Sequence, residues 1–184
     1  KSPAEALAAV SGNACSITAT FLCYHRSEQV YQEEKGEKYA MYMCIHGIYN
    51  ENITHNKNTI IRTIQKYSCV ADIIIFGEAF LQGFYGPTFD VEHDKQLSIT
   101  QDSNIIDEIC CVAKEYATAV SFGFIEKENG FFYSSQITVD ANGKVIDLFR
   151  RVSPGWKEPF ADDHYREGSG FHTFFFQGKK ISIG

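Results

Sequence analysis

Ala71-Asp72-Ile73-Ile74-Ile75-Phe76-Gly77-Glu78-Ala79-Phe80-Leu81 is a short, nearly continuous apolar run broken by a glycine and a glutamate. A run of this kind predicts a strand covered on both faces. Upstream, Ile53, Ile60, Ile61, Ile64 and Tyr67 recur on one helical face, and residues 39–45 read as a buried strand, which completes a β-α-β unit. Downstream, a second helix starts near Ser103 and lines up Ile105, Ile106, Ile109, Val112, Ala113 and Tyr116, and residues 119–125 form another covered strand. The expected class is α/β, with parallel units first.

Antiparallel elements follow. Residues 132–139 and 144–150 read as a hairpin turned by Asp140-Ala141-Asn142-Gly143, in which Asn-Gly supplies positive φ angles. Residues 171–176 and 180–183 form a last hairpin around Gln177-Gly178. At the other end, Ser2-Pro3-Ala4-Glu5 has the form of a capping box and Gly12 that of a helix stop, and residues 16–24 are β-prone. Residues 26–38 are polar and charged, which makes them the best candidate boundary. They set an extension of unknown role, 1–37, apart from a domain over 38–184.

The 184 residues are 44% hydrophobic and 22% charged, which suits a packed domain and excludes disordered and fibrous architectures. Seventeen bases against 23 acids leave a net charge of −6 with both signs interspersed, so neither nucleic acid nor a membrane surface is an expected partner. No apolar run approaches the roughly 18 residues of a transmembrane helix, and the first ten residues are too weakly apolar for a secretion signal. A cytoplasmic location is expected. Cys15, Cys23, Cys44, Cys69, Cys110 and Cys111 lie in or beside apolar runs and form no Cys-x-x-Cys pair. They are expected to be reduced core thiols, and no metal site is expected.

In a covered α/β sheet the ligand crevice lies beyond the carboxyl ends of the strands. Glu78 stands there, inside an apolar stretch where burial would raise its pKa and suit it to general-base work; it could equally cap the next turn or pair with a lysine. Arg150-Arg151 closes a later strand and leads into Val152-Ser153-Pro154-Gly155-Trp156-Lys157. Cations at that place could stabilise an oxyanion, or could be a solvated pair. A Gly-x-Ser-x-Gly elbow, a phosphate-binding loop and a dinucleotide fingerprint are all absent.

Around these two places the sequence resembles the nitrilase superfamily of carbon-nitrogen hydrolases. The run from Ala71 to Phe84 is similar to the family's strand ending in Phe-Pro-Glu, although Gly77 stands where proline is usual. Val120-Ser121-Phe122-Gly123-Phe124-Ile125-Glu126, Phe132-Tyr133-Ser134-Ser135-Gln136 and Asp140-Ala141-Asn142-Gly143-Lys144-Val145 resemble the next strand and hairpin. Phe149-Arg150-Arg151 occupies the place of the family's Tyr-Arg-Lys, so arginine stands where the catalytic lysine would be, and Lys157 is the nearest substitute. Tyr165-Arg166-Glu167-Gly168 and Phe171 to Gly184 resemble the strand pair that runs up to the nucleophilic cysteine. The ordered set covers 38–184.

The resemblance implies an αββα sandwich that is incomplete in these residues, with the nucleophile and the second half beyond Gly184. It implies hydrolysis of a small-molecule amide or nitrile through a cysteine thioester, without a cofactor. Glu78 would be the general base and Arg151 or Lys157 the oxyanion cation. Self-association, or association with the remaining half of the sandwich, is expected of an open apolar face. The alternative is a non-catalytic nitrilase-like binding or subunit module.

Overall fold

Alternation along the strands sorts side chains to two faces, and the computed structural model, which describes residues 28–34, 37–44, 48–152 and 154–183, shows what covers each. The expected opening helix and the 16–24 strand lie outside the described residues. Strands β1 (Glu28–Glu34), β2 (Glu37–Cys44), β3 (Ile73–Phe76), β4 (Ala119–Glu128), β5 (Phe131–Val139) and β6 (Val145–Arg150) form one sheet in that spatial order. The β2-β3-β4 pairings are parallel, and those of β1-β2, β4-β5 and β5-β6 are antiparallel.

Helices α1 (Ile53–Tyr67) and α3 (Asn104–Glu115) cover one face. Ile60 and Ile64 of α1 and Ile106, Ile109 and Ala113 of α3 pack with Ile74, Phe76, Val120, Phe122, Phe124, Ile137 and Val139. Both predicted stripes are therefore the buried ones, with Ile61 at the margin of α1. On the opposite face Met41, Ile73 and Ala119 meet Phe174 and Phe176. Those phenylalanines belong to the hairpin of β7 (Phe174–Phe176) and β8 (Lys179–Ile181), a separate two-stranded sheet. Among the described residues, no helix is long and apolar enough to cross a membrane.

The connector and turn readings are corrected, and one helix is added. The polar connector over 26–38 is in part strand β1, which pairs with β2 from Glu34↔Glu37 to Glu28↔Met43 and so ties residues on both sides of the 37/38 boundary into one sheet. Main-chain pairing, which has no hydrophobic signature, makes it a strand. A short helix, α2 (Val91–Leu97), was not foreseen; it has no long apolar stripe and is started by Asp90, whose side chain accepts from the His93 N–H. In the 140–143 turn only Gly143 takes a positive φ, at 76°, and the Asn142 and Lys144 N–H groups donate to the Asp140 carboxylate.

Candidate active site

The chain leaves β3 through a tight turn that puts Glu78 at the carboxyl end of the sheet. Ala79 takes a positive φ of 50°, and the turn is tied to β4 by Gly123 N–H donating to Gly77 O at 3.1 Å and Leu81 N–H to Gly123 O at 3.1 Å. Phe80 and Leu81 then fill the helix-side core. Phe76, Phe80 and Leu81, apolar neighbours of Glu78 in sequence, therefore turn away from it. Its side chain is 28% exposed, so the expectation of a buried glutamate is not met.

Arg151 pairs with it. One guanidinium nitrogen, Nη1, donates to Glu78 Oε1 at 2.6 Å and to Oε2 at 2.7 Å, and Ser134 Oγ of β5 donates to Oε1 at 2.7 Å. The adjacent arginine goes the other way, because successive residues of an extended chain point to opposite faces. Arg150 donates to Glu126 through Nε and Nη2, pairs with Glu128, and lies 4.0 Å from the centre of the Tyr133 ring. Glu126 is fully buried; burial pushes its carboxyl up, and hydrogen bonds from Arg150, Ser135 and Gln101 outweigh that and hold it below the usual range. The doublet thus splits into Arg150, which neutralises a buried acid on the helix side, and Arg151, which meets Glu78 on the other.

Lys157 lies just beyond a 3-10 turn over Pro154–Trp156, and its ammonium donates to the main-chain oxygen of Tyr165 at 3.0 Å. Tyr165 is itself fully buried and donates through its hydroxyl to Asp94 at 2.8 Å; burial, and then that contact, push the phenol far up. Asp94, also fully buried, accepts from the main-chain N–H groups of Thr88 and Phe89. A buried carboxylate in the unforeseen α2 therefore fixes both the 88–89 loop and the tyrosine that holds Lys157.

Glu78, Ser134, Arg151 and Lys157 all line one cleft of about 550 Å³. Phe84, Tyr85, Phe89, Trp156 and Phe160 supply aromatic wall, and Glu158 adds a second carboxylate. All three residues singled out from sequence are thus on one cleft, but only Glu78 and Arg151 touch. Ser134, Asp94 and Glu158 were not singled out. Ser134 and Asp94 act across strands and helices, with no local signal, whereas Glu158 could have been noticed as an acid in the same loop as Lys157. Among the described residues no cluster of three or more His, Cys, Asp or Glu side chains could hold a metal ion.

None of the cysteines with a described side chain reaches the cleft. Cys69 and Cys111 are exposed and Cys110 is half-buried, its thiol pushed up to about 11 by burial first and then by nearby negative charge. The expectation of core thiols is corrected for Cys69 and Cys111, which fall on the outer surfaces of their segments. Cys15 and Cys23 lie outside the described residues.

The family model for carbon-nitrogen hydrolases matches residues 39–184. The chain belongs to the carbon-nitrogen hydrolase family. Among its relatives, the bromoxynil-specific nitrilase of Klebsiella pneumoniae subsp. ozaenae is 29% identical over 110 residues, which is 54% of this chain and 30% of that protein. A nitrilase of Meyerozyma guilliermondii is 32% identical over 97 residues, 48% of this chain and 30% of that protein. The chain thus matches less than a third of the length of these carbon-nitrogen hydrolases. An amidase from Nesterenkonia sp. superposes with a TM-score of 0.65 at 16% identity, covering 77% of this chain and 53% of its own. That likeness shows the αββα fold of the nitrilase superfamily, of which the described residues supply a helical layer and the sheet beneath it.

Proposed function

We propose that the protein hydrolyses a non-peptide carbon–nitrogen bond, in an amide or a nitrile, through a cysteine thioester, with Glu78 as general base and Arg151 as the cation beside the oxyanion. The observation that carries this reading is the contact of Arg151 Nη1 with both oxygens of Glu78 on the wall of a cleft. It puts a proton acceptor and a fixed positive charge within one reacting distance of each other. The hydrolase domain is taken as 38–184, with 1–37 of unassigned role although β1 joins its sheet.

In this scheme the nucleophilic cysteine comes from just past Gly184 in the protein, after the β7–β8 hairpin. Glu78 takes the thiol proton as sulfur bonds to the amide carbon, and the oxygen of the former carbonyl becomes an oxyanion facing Arg151. Glu78 returns the proton to nitrogen, ammonia leaves, and a thioester remains. Water then gives a proton to Glu78 and its oxygen to the acyl carbon; the carbon–sulfur bond breaks, Glu78 passes that proton to the departing sulfur, and the acid leaves with thiol and carboxylate restored. The contact with Glu78 supports Arg151 over Lys157 as the cation, since the ammonium of Lys157 donates to Tyr165 O and not to Glu78. Five aromatic side chains on the cleft suit an apolar, flat acyl group. By the same reading, residues 1–184 alone hold a base and a cation but do not hydrolyse amides.

The test is ammonia release by the full-length protein from a panel of amides and nitriles, with Glu78→Gln alongside. The variant keeps the shape of the side chain and cannot accept a proton, so turnover should fall at least about 100-fold. No hydrolysis by the native protein, or near-native turnover in the variant, overturns the reading.

A further inference from the structure

We propose that Ser134 is a positioning residue that holds the Glu78 carboxylate so that Oε2, and not Oε1, takes and returns the proton. The inference rests on Glu78 being the base. Its own support is the distribution of donors over the two oxygens. A carboxylate offers two lone pairs on each oxygen. Oε1 accepts both from Ser134 Oγ at 2.7 Å and from Arg151 Nη1 at 2.6 Å, whereas Oε2 accepts, among the described residues, only from Arg151 Nη1 at 2.7 Å. One oxygen is filled and the other keeps a free lone pair.

Ser134 is built to do this. It is 5% exposed, and it sits on β5 with its side chain on the face opposite the helices, as do Gln136 and Thr138, which bond to Ser121 on that same side. Its main-chain oxygen accepts from the Arg151 N–H at 2.9 Å. A single residue therefore anchors the carboxylate by its hydroxyl and the start of the arginine's loop by its backbone. Arg151 alone could not select an oxygen, because Nη1 is nearly equidistant from both. Without the hydroxyl the carboxylate can turn about its last torsion, which is broad and two-fold, and either oxygen can face the arginine.

Two consequences separate positioning from mere packing. A donor to the ionised carboxylate favours that form, so losing it moves the acid limb of the kcat/KM profile to higher pH. The lost alignment acts on the chemical step, so kcat falls while KM for a neutral amide holds. Ser134→Ala in the full-length protein should therefore lower kcat about ten-fold, within the range that small misplacements cost. Its acid limb should shift upward, and its thermal midpoint should stay near native. Ser134→Thr, which keeps the hydroxyl on a β-branched residue suited to a strand, should restore both kcat and the limb. An acid limb unmoved in Ser134→Ala overturns the proposal, as does a folded Ser134→Thr that behaves like the alanine variant. If Glu78→Gln abolishes turnover while Ser134→Ala leaves the profile untouched, the base assignment stands and this inference alone fails. If Glu78→Gln is fully active, both fall.

Discussion

Gly123 of β4 lies directly beneath Glu78: a Cβ at position 123 would stand 2.7 Å from Glu78 Cα, 2.6 Å from Ala79 N and 2.5 Å from Gly77 O. All three atoms are backbone, so nothing at hand can rotate away. The glycine is therefore what lets the Glu78 turn settle onto the sheet, with its N–H bonded to Gly77 O. Gly123→Ala should push that turn outward and carry Glu78 off Ser134 and Arg151. Overpacking of this kind costs about 1–3 kcal/mol, readable as a lower urea midpoint with unchanged slope. Activity should fall further than stability alone accounts for, because the displaced group is the proposed base. A variant as stable and active as native would mean that the turn relaxes freely.

Glu126 and Arg150 form the structural counterpart of the Glu78–Arg151 pair on the other face of the sheet. Breaking a buried pair by removing one partner costs about 3–5 kcal/mol, and since Arg150 keeps Glu128, the loss in Glu126→Ala should lie near the lower end. The sign of the pH effect follows from the direction of the shift. The folded-state value of Glu126 is held below its ordinary 4.5, so its contribution is present above about pH 4.5 and fades as pH falls through the lowered value. Denaturation midpoints measured from pH 7 to pH 3 should show a shallower acid-side decline in Glu126→Gln than in native protein. A parallel decline in the two would show that Glu126 does not carry the acid sensitivity.

These two pairs mark how far the sequence could be read. The β3 strand, both stripes of α1 and α3 and the two hairpins were legible, because local periodicity and apolar runs report directly on what is buried. The Arg150-Arg151 doublet was legible as a strand end but not as two separate partners, since each finds its acid on a different neighbouring segment. Ser134 and Gly123 carry no local signal at all: each matters through an atom 56 or fewer residues away, on a segment that only the sheet pairing brings close. Strand β1 was missed because its signal is a main-chain ladder, and α2 because its buried acid, Asp94, looks like any surface residue until Tyr165 covers it.

The cation can be assigned by replacing Arg151 and Lys157 in turn with methionine, which keeps an unbranched stem of similar bulk and deletes the charge. Arg151→Met should raise the acylation barrier by about 2.7–4 kcal/mol, the range found for deletion of an oxyanion donor. Lys157→Met should change acylation little, because its ammonium is held by the Tyr165 carbonyl. Arg151→Lys should recover only part of the loss, since a lysine carries a point charge with rotating donors in place of a planar fork. Single-turnover kinetics read the step directly. A slow Lys157→Met with a fast Arg151→Met would exchange the two roles.

The aromatic wall predicts a substrate preference that can be separated from plain hydrophobicity. Phe84, Tyr85 and Phe160 are 50%, 77% and 72% exposed and line the same cleft as Glu78, with Phe89 and Trp156 beside them. Phe89 meets Phe160 edge-on, at 6.3 Å between ring centres and 88° between planes. An arriving aryl group would find both ring edges and ring faces, the two surfaces that attract another ring. Phenylacetamide and cyclohexylacetamide are close in size and differ in flatness and π character. Aromatic pairing adds about 0.5–1.5 kcal/mol beyond area burial, which is roughly a two- to twelve-fold advantage in kcat/KM for the aryl amide. Phe160 is so exposed that Phe160→Ala should leave the thermal midpoint near native while reducing that ratio. Equal kcat/KM values for the two amides in native protein, or a ratio indifferent to Phe160→Ala, would mean that the acyl group rests elsewhere in the cleft.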